Sequence, residues 1–415
     1  MAAYRGMGPR RVAVETPAVA PQPVVAPEVA EHKAHDEKLA APEVPERPIE
    51  IARETPTPPA SEVVPPTNAV ADNAAAAALG KRLFFDKHLS TDATIACASC
   101  HDPAHGFSDP KPFSVGVRGQ LGGRHAMPIT AVGFQAFTLW DGRADSVWAQ
   151  PIKAIENPKE MDLTRLELAR VVATNYRAEY EALFGAMPPL DQTPVRGKPG
   201  MVEWDGLPET IRNDVDEVAA NVGKALEAYE RTVTCSDTRF DQWVRGEVTL
   251  TTQEMNGAQS FVAHRCARCH DGPAFSDGKF HNIGVPSTDV GRSGGIPQLL
   301  ADSFNGAGLF SDDLAAGQVK PAAAATETGT EGAFKTPRLR GAGQRTFFGH
   351  ASHQETLRGF IADIYRGGRG GRDVTVGTLD PQMQGVAVPN DELDDLVAFL
   401  HTLDCPGNVT ATAAP

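Results

Sequence analysis

One five-residue pattern occurs twice in this chain and constrains its fold more than any other feature. The two copies are Cys97-Ala98-Ser99-Cys100-His101 and Cys266-Ala267-Arg268-Cys269-His270. The pattern C-x-x-C-H is the attachment sequence of c-type haem: the two thiols form thioethers to the porphyrin, and the histidine ligates the iron. We therefore predict two covalently bound haem c groups, with His101 and His270 as the iron ligands supplied by the motifs.

Other uses of paired cysteines fit the sequence less well. A thioredoxin-like redox pair lies in a βαβ context, which is missing around both motifs, and a zinc site needs four closing ligands. The two remaining cysteines, Cys235 and Cys405, either form a disulfide or stay separate buried thiols. Haem attachment implies an oxidising compartment, in which a disulfide can persist.

The composition excludes several classes of protein. The chain has 415 residues, of which 41% are hydrophobic and 22% charged, an ordinary balance for a globular protein. Its formal net charge of −14 argues against nucleic acid as a partner, because phosphate contacts need clustered Lys and Arg. No apolar run is long enough to predict a transmembrane segment.

Helical periodicity predicts a mainly α fold. A capping box of Thr164 and Glu167 begins one pattern that continues to Leu183; further patterns cover 215–233 and 393–400, and no alternating strand pattern competes with them. We predict long irregular connections at 101–140 and 271–345. The predicted organisation is a disordered Pro/Ala/Glu-rich arm (1–70), a first cytochrome c domain (71–236), a second cytochrome c domain (237–405) and a tail (406–415).

Several motifs around the two haem sites resemble the bacterial di-haem cytochrome c peroxidase family, which includes the MauG-type protein-modifying enzymes. Besides the two haem motifs, they are Leu83 to Asp86, Trp140-Asp141-Gly142-Arg143-Ala144, Asn157-Pro158 with Glu160-Met161, and Phe334-Lys335-Thr336-Pro337 with Leu339-Arg340. The match runs from about Asn73 to Leu403. The resemblance implies a peroxide-reacting haem in the first domain and an electron-transferring haem in the second.

The resemblance also implies roles for three residues between the haem motifs. Trp140 corresponds to the tryptophan between the haems, and Gln150 and Glu160 correspond to the distal glutamine and glutamate. A carboxylate such as Glu160 can take a proton from one peroxide oxygen and return it to the other during O–O cleavage. Gln150 would orient peroxide or a water, and Trp140 offers an oxidisable ring. The alternatives are haem-edge packing for Trp140 and solvated surface for Glu160.

Two departures from the family pattern affect the iron ligands. Val117 stands where the family's peroxidases carry a histidine that ligates the resting first iron, which predicts an open site of the MauG type; His105 and His125 are nearby alternatives. The family's sixth ligand of the second haem, Met or Tyr, falls at Ile364, next to Tyr365. The candidates are therefore Tyr365, His353 and Met383, or no residue of the protein at all.

A third departure concerns calcium. His125 corresponds to an asparagine that holds the family's interdomain calcium, and imidazole is a poor ligand for a hard cation. Calcium would have to bind through carbonyls and water, and we do not expect a strong site.

The leading hypothesis is a di-haem oxidoreductase that reduces hydrogen peroxide. Its electrons would come from a small donor protein, a cytochrome c or a cupredoxin. The first alternative is a MauG-like maturation enzyme that oxidises side chains of a partner protein, and the second is a non-catalytic di-haem electron carrier. Because c-type haem is attached outside the cytoplasm, we predict a periplasmic protein although no signal peptide is visible in this chain.

Overall fold

The structure is a computed structural model in which residues 67–365 and 376–406 are described. These residues fall within the compact unit Pro45–Pro415. The unit Met1–Val44, nearly all of the predicted arm and nearly all of the predicted tail lie outside the described residues. Thr67, the first described residue, is buried, and its Oγ1 accepts a hydrogen bond of 2.9 Å from the indole of Trp148.

Short helices joined by long connections confirm the mainly α prediction. The helices are α1 (Ala74–Phe85), α2 (Gln150–Glu156), α3 (Arg165–Asn175), α4 (Arg177–Phe184), α5 (Val202–Asp205), α6 (Glu209–Glu230), α7 (Arg239–Val244), α8 (Thr252–Ala263), α9 (Arg292–Ala301), α10 (Leu314–Gly317), α11 (Val319–Ala324), α12 (Leu357–Tyr365) and α13 (Leu393–His401). The strands β1 (Phe280–His281) and β2 (Phe334–Lys335) pair antiparallel. They form the one sheet found within the described ranges.

The predicted helix that begins at Thr164 is two helices. Thr164 and Glu167 form the expected capping box. The helix breaks at Tyr176, where φ is −137° and ψ is 9°, so that α3 ends at Asn175 and α4 follows. The periodic pattern crosses the break because Tyr176 and Tyr180 are both buried.

Two helix pairs, α1 with α6 and α8 with α13, cross at very short range. A Cβ atom on Gly80 of α1 would lie 1.9 Å from the carbonyl oxygen of Ala225 in α6. A Cβ atom on Gly257 of α8 would lie 1.9 Å from the carbonyl oxygen of Asp395 in α13. Each crossing requires glycine, because a side chain does not fit against the partner's backbone.

Each helix pair contributes to its own apolar core. The first core contains residues of α1, α3 and α6, and Cys97 packs against it. The second core contains residues of α8, α12 and α13, and Cys266 packs against it. Each haem motif therefore lies next to one of the two cores.

The loops that precede α2 and α12 repeat one backbone pattern. The equivalent features are the bridges Thr138↔Ala144 and Phe348↔Gln354, and the left-handed residues Ala131, Leu139 and Gly142 in the first copy and Gly341, Gly349 and Ser352 in the second. In this correspondence Trp140 is equivalent to His350. Their rings meet edge to face, with centroids 6.1 Å apart.

The connection 271–345 is less irregular than predicted, because it contains α9, α10 and α11. The sequence of α9 includes Gly294, Gly295 and Pro297, residues that are typical of loops and turns, so the helix was not predicted. The fully buried side chains of Arg292 and Leu299 stabilise it. The connection 101–140 contains 3₁₀ turns but no α-helix among its residues, as predicted.

Two further features concern the chain as a whole. Cys235 and Cys405 form a disulfide, so that the first of the two predicted alternatives is the one observed. In the part of the chain that the structure describes, no helix combines the length and the apolar character needed to cross a bilayer.

Candidate haem sites and active site

The first haem motif forms a 3₁₀ turn over Cys97–Ser99. Ser99 Oγ accepts a hydrogen bond of 3.0 Å from the amide of Ala96, and the amide of His101 donates to the carbonyl oxygen of Cys97 at 2.9 Å. Cys97 and Cys100 are free thiols. Burial lowers the pKa of His101 and so favours the neutral imidazole, which is the form that ligates a metal. This set of donors fits a haem c.

The second motif forms the same turn over Cys266–Arg268, again with both thiols free. Nδ1 of His270 lies 2.9 Å from the carbonyl oxygen of Phe275. If Nδ1 carries the proton, it donates to this carbonyl, and Nε2 is left to ligate a metal, as is usual for ligating histidines. Burial lowers the pKa of His270 as well.

A cavity of about 1540 Å³, including the space at its mouth, lies over the second motif. Cys266, Cys269 and His270 line it. Much of the remaining lining is apolar: Phe261, Phe334, Phe347, Phe348, Leu357, Phe360, Ile361, Leu396 and Leu400. Two thiols, an imidazole and apolar walls match the needs of a covalently held porphyrin.

Glu160 lies in the turn after α2. Its Oε1 accepts a hydrogen bond of 2.7 Å from Asn157 Nδ2, and its backbone oxygen accepts one of 2.8 Å from the amide of Val117. Burial raises the pKa of Glu160, and the opposing effects of Arg143 and of the Asn157 hydrogen bond are smaller. A carboxylate that is fixed and desolvated in this way is not solvated surface.

The charge of Glu160 acts on the first motif. The pKa of Cys97 is raised by burial first and also by Glu230 and Glu160. The pKa of Cys100 is raised to about 11, mainly by burial, with a contribution from Glu160. Glu160 is therefore close to both thiols of the first motif, which the sequence separates from it by some sixty residues.

Gln150 is the first residue of α2, half-buried. The helix that follows leads through Asn157 to the turn that contains Glu160. One short element therefore supplies both residues that the sequence assigns to the distal side of the first haem.

Trp140 lines the cavity of the second motif. Its indole Nε1 donates to the carbonyl oxygen of His125 at 2.8 Å, and its own carbonyl oxygen accepts from the amide of Lys335 at 2.8 Å. Three residues further on, Arg143 is close enough to Glu160 to lower the pKa of that carboxyl. The segment 140–143 thus extends from the second cavity to the carboxylate beside the first motif.

The residues considered as a ligand of the first iron lie in different environments. Val117 is fully buried, and its amide bonds to Glu160. His105 is exposed, with Nδ1 2.8 Å from Asp102 Oδ2. His125 lines the cavity of the second motif. Neither histidine takes the place that Val117 occupies.

The candidates for the sixth ligand of the second haem also lie in different environments. Tyr365 and Met383 line the second cavity, whereas Ile364 and His353 are not among its lining residues. On α12 the residues that face this cavity include Leu357, Ile361 and Tyr365, a spacing of four residues. That spacing in the sequence would have indicated that Tyr365, and not Ile364, shares the cavity-facing side of the helix.

The sequence assigned no role to several polar residues of the second cavity. His350 lines it with a buried Nε2 that has no hydrogen-bond partner, while its ring stacks on Phe334 with centroids 3.5 Å apart. Lys335 and Arg345 also line it. The motif Phe334-Lys335-Thr336-Pro337 marked the region, but nothing in it identified which side chains face a cavity.

The structure does not strengthen the case for calcium. Within the described ranges, one cluster of three potential ligand side chains is found, formed by Cys269, Asp277 and His281. It includes a thiol of the second motif and is not a carboxylate site of the kind that calcium prefers.

Comparisons with known proteins agree with this arrangement. The sequence profile described as di-haem cytochrome c peroxidase matches residues 74–249. The methylamine utilization protein MauG of Methylorubrum extorquens is 28% identical over 343 residues, which cover 81% of this chain and 81% of that protein. Cytochrome c551 peroxidase of Nitrosomonas europaea is 31% identical over 231 residues, which cover 54% of this chain and 60% of that protein.

Solved structures show the same fold. A MauG-like protein associated with microbial copper homeostasis superposes with a TM-score of 0.61 at 23% identity, over 85% of this chain and 97% of that one. The di-haem peroxidase BthA of Burkholderia thailandensis gives a TM-score of 0.60 at 24% identity, over 84% and 88%. Residues 74–249, which carry the first haem motif with Trp140, Gln150 and Glu160, therefore resemble the di-haem cytochrome c peroxidase family.

Proposed function

We propose that this chain is a haem-dependent peroxidase: a di-haem c-type oxidoreductase that reduces hydrogen peroxide with electrons passed from the second haem to the first. The observation that carries the proposal is the position of Glu160. It is a half-buried carboxylate, close enough to both thiols of the first motif to raise their pKa values; Asn157 binds its carboxylate and Val117 binds its backbone oxygen. A pure electron carrier has no use for such an acid.

Cys97 and Cys100 would hold one haem covalently with His101 as its ligand, and Cys266 and Cys269 would hold the other with His270. When bound, the two haems supply redox-active iron and the electrons for peroxide reduction. The repeated helix pairs, cores and loops support the division into a first domain over 71–236 and a second over 237–405.

The chain's own residues transfer protons and orient the peroxide. Glu160 accepts a proton from one peroxide oxygen and delivers it to the other as the O–O bond breaks. Gln150 holds peroxide or a water in place beside it. Trp140 lies on the way from the second cavity to Glu160 and offers an oxidisable ring between the two sites.

Tyr365 is the residue that we assign as the sixth ligand of the second haem. It lines the second cavity, and its pKa is raised by burial and, less strongly, by the neighbouring Cys266 and Cys269. Met383, which lines the same cavity, is the alternative.

A MauG-like maturation activity is the second candidate function, and Val117 favours it. A buried valine that is bonded through its backbone to Glu160 cannot ligate the first iron, so the site is open without prior reduction. In that case the electrons come from side chains of a partner protein in place of a cytochrome c or cupredoxin.

The disulfide between Cys235 and Cys405 supports a periplasmic location, because disulfides persist in oxidising compartments.

Rapid mixing of the holoprotein with hydrogen peroxide tests the main proposal. We expect the absorption spectrum of the first haem to change faster than peroxide bleaches the protein, and reduced cytochrome c or cupredoxin to be consumed in turnover. A spectrum that does not respond to peroxide would leave only the electron carrier. A response to peroxide without turnover of either donor, but with oxidation of a co-encoded protein, would favour the maturation enzyme.

A further inference from the structure

Three basic side chains lie together beside the second cavity. Lys335 is 2% exposed and Arg338 is 3% exposed, while Arg345 is partly open to the cavity. Lys335 and Arg345 line the cavity, and Arg345 Nη2 donates to the carbonyl oxygen of Arg338 at 2.8 Å. We call these three residues the cation cluster.

The cation cluster has no carboxylate partner among the described residues. Lys335 Nζ donates to the carbonyl oxygen of Phe137 at 2.8 Å and to the side chain of Gln135, both of them neutral. Arg338 donates to the carbonyl oxygen of Pro128 at 2.5 Å, and its Nη1 is buried without a partner.

Other buried cations of this protein do have carboxylate partners. Arg292, Arg340, Arg165 and Lys224, which are all buried, each form an ion pair with at least one carboxylate: Glu327, Asp241, Glu156 with Asp216, and Asp312, respectively. A buried charge is costly to leave unpaired, because desolvation is not repaid by an opposite charge. The exception at the cation cluster therefore indicates an anion that binds there.

The carboxylates nearest to the cluster do not fill this role. Asp141 acts on Lys335 from a distance, but Arg124 and Arg143 already bind it. Asp404 acts on Arg345 from a distance; its Oδ2 is bound by His401, whereas its Oδ1 forms no hydrogen bond. Because no described carboxylate lies within ion-pair distance of the cluster, the anion that we infer comes from outside the described chain.

We propose that the cation cluster binds the propionate carboxylates of the haem held at the second motif. The porphyrin of haem c carries two propionates. Lys335 and Arg345 line the same cavity as Cys266, Cys269 and His270, and Arg338 is joined to Arg345 by a hydrogen bond behind this lining. The inference rests on the proposed attachment of that haem, but not on the peroxide chemistry. It assigns Lys335, Arg338 and Arg345 as positioning residues of the second haem.

The pKa values of the cluster are those expected where the counter-charge is missing. Burial, with smaller repulsion from Arg345, lowers the pKa of Arg338 to about 9. Burial lowers the pKa of Arg345 to about 10 and that of Lys335 well below its ordinary value. Ionised propionates would restore the favourable environment for all three charges.

Such a cluster also affects the reduction potential. Positive charge near a haem favours the reduced state, in which the iron carries one positive charge less. The second haem would therefore be held at a higher potential than its apolar cavity and axial ligands alone would give. A higher potential helps this haem to accept electrons from a donor protein.

The test is a spectroelectrochemical titration of the holoprotein and its variants Arg338→Gln and Arg345→Gln, after a pyridine haemochrome assay of haem content. We expect each substitution to lower the potential of the second haem while that of the first moves less. The charge-conserving variants Arg338→Lys and Arg345→Lys should retain most of the potential. Arg358→Gln, which removes an exposed cation that pairs with Asp394, is the control and should change neither potential.

Each outcome decides between a charge role and a packing role. Loss of the second haem from the Gln variant but not from the corresponding Lys variant would also support propionate binding. Unchanged potentials in variants that carry two haems would overturn the inference. The inference would also be overturned if the potentials changed equally in the Gln variants and in the Arg358→Gln control. Loss of the second haem from the Gln and Lys variants alike would overturn it too. A protein that binds two haems and behaves as expected here, yet ignores peroxide, would contradict only the proposed function.

Discussion

At the scale of single residues, the candidate active site depends on how Glu160 is held. The amide of Val117 binds the backbone oxygen of Glu160, Asn157 binds its carboxylate, and burial raises the pKa of that carboxyl. A general base works best when its pKa lies near the working pH, and burial moves Glu160 in that direction. The surrounding turn would therefore prepare the proposed proton acceptor before peroxide arrives.

Glu160→Gln should reduce the rate of reaction with hydrogen peroxide by about 10²–10⁴-fold, because the amide cannot accept the proton. The measurement is stopped-flow mixing of the holoprotein with peroxide, with the resting spectrum as a check that both haems are in place. Glu203→Gln, at an exposed position in α5, is the matched control and should react like the wild type. A variant at position 160 that reacts at the wild-type rate would remove Glu160 from the mechanism.

The pH dependence gives a second readout for the same residue. Only the ionised carboxylate can accept a proton, so the rate should fall as the pH is lowered through the pKa of Glu160. Because burial raises that pKa above the ordinary value of 4.5, the fall should begin at a higher pH than for an exposed glutamate. The acid limb should be absent from the residual activity of the Gln variant.

Tyr365→Phe should change the optical and EPR spectra of the second haem and leave those of the first unaltered, since the phenol oxygen is the proposed sixth ligand. Met383→Leu is the matched variant, because both side chains line the same cavity and Leu keeps the volume of Met. It should leave the spectra unchanged. The reverse result, a change in the Met383 variant alone, would transfer the ligand role to Met383.

Glu230 provides a test of a buried carboxyl that the proposed chemistry does not use. Burial, reinforced by Glu227, raises its pKa to about 8. The folded protein thus binds this proton more tightly than the unfolded chain, and stability is lost as the pH rises from the unfolded pKa towards 8. The expected slope is at most about 1.4 kcal/mol per pH unit.

Glu230→Gln should flatten this slope, so that the variant gains stability relative to the wild type at pH 8 and above. Denaturant unfolding at several pH values measures it. Glu217→Gln, on the exposed side of the same helix, should keep the wild-type slope. Parallel curves for the wild type and the Glu230 variant would contradict the raised pKa.

Sequence reasoning identified residues of this site where chemistry and spacing coincide, and failed where only packing decides. The two thiols and the imidazole of each motif are local in sequence, and so is the interval between Trp140, Gln150 and Glu160. Contacts between distant segments decide which side of α12 faces the cavity. They also decide that Lys335 and Arg338 have no carboxylate partner among the described residues. No pattern within one segment encodes them.

At the scale of elements, the packing of the two helix pairs depends on two glycines. Gly80 brings α1 against α6, and Gly257 brings α8 against α13, each at the core beside one haem motif. Both glycines lie within helices, where glycine is otherwise unfavourable by about 1 kcal/mol. The close approach of the two helices in each pair requires glycine at both positions in spite of this unfavourable helix propensity.

Gly257→Ala should destabilise the protein by about 1–3 kcal/mol or more, because the new methyl group meets a backbone carbonyl oxygen that cannot move aside. Thermal unfolding followed by far-UV circular dichroism measures the loss. Asn256→Ala, at the adjacent exposed position, is the control and should be neutral or slightly stabilising. Equal stability of both variants would show that the crossing can relax.

Helices with strong local signals were the easiest elements to predict. The capping box at Thr164 and the apolar spacing of α13 both led to observed helices. The helix α9 was missed because Gly294, Gly295 and Pro297 oppose it locally, and burial of Arg292 against Glu327 overrides them. Tertiary contacts thus decide the elements whose own sequence is ambiguous.

At the scale of the whole molecule, contacts between sequence-distant segments hold the two predicted domains together. Asp302 forms an ion pair with Lys153, a residue of α2 that lies three positions after Gln150. Asp312 Oδ1 lies 2.6 Å from Nζ of Lys224 in α6. Phe304 and Phe310 join the first core although they belong to the predicted second domain. The second half therefore helps to build the surroundings of the proposed peroxide site in the first.

The disulfide adds a covalent link to these contacts. It joins Cys235, just after α6, to Cys405, just after α13, at a sequence separation of 170. Closing a loop of this length restricts the unfolded chain strongly, by about 5 kcal/mol in the chain-entropy model, although measured effects are more often 2–4 kcal/mol. Cys235→Ser and Cys405→Ser should each lower the unfolding free energy of the holoprotein by an amount in this range.

A double variant distinguishes the covalent link from simple loss of two buried side chains. If the disulfide is what stabilises, the first substitution removes it and the second adds little, so the double variant should be about as stable as either single one. Ser236→Ala, next to Cys235 and exposed, should leave the stability unchanged. Additive losses in the double variant would mean that the two cysteines act separately, and the oxidising compartment inferred from their pairing would then rest on haem attachment alone.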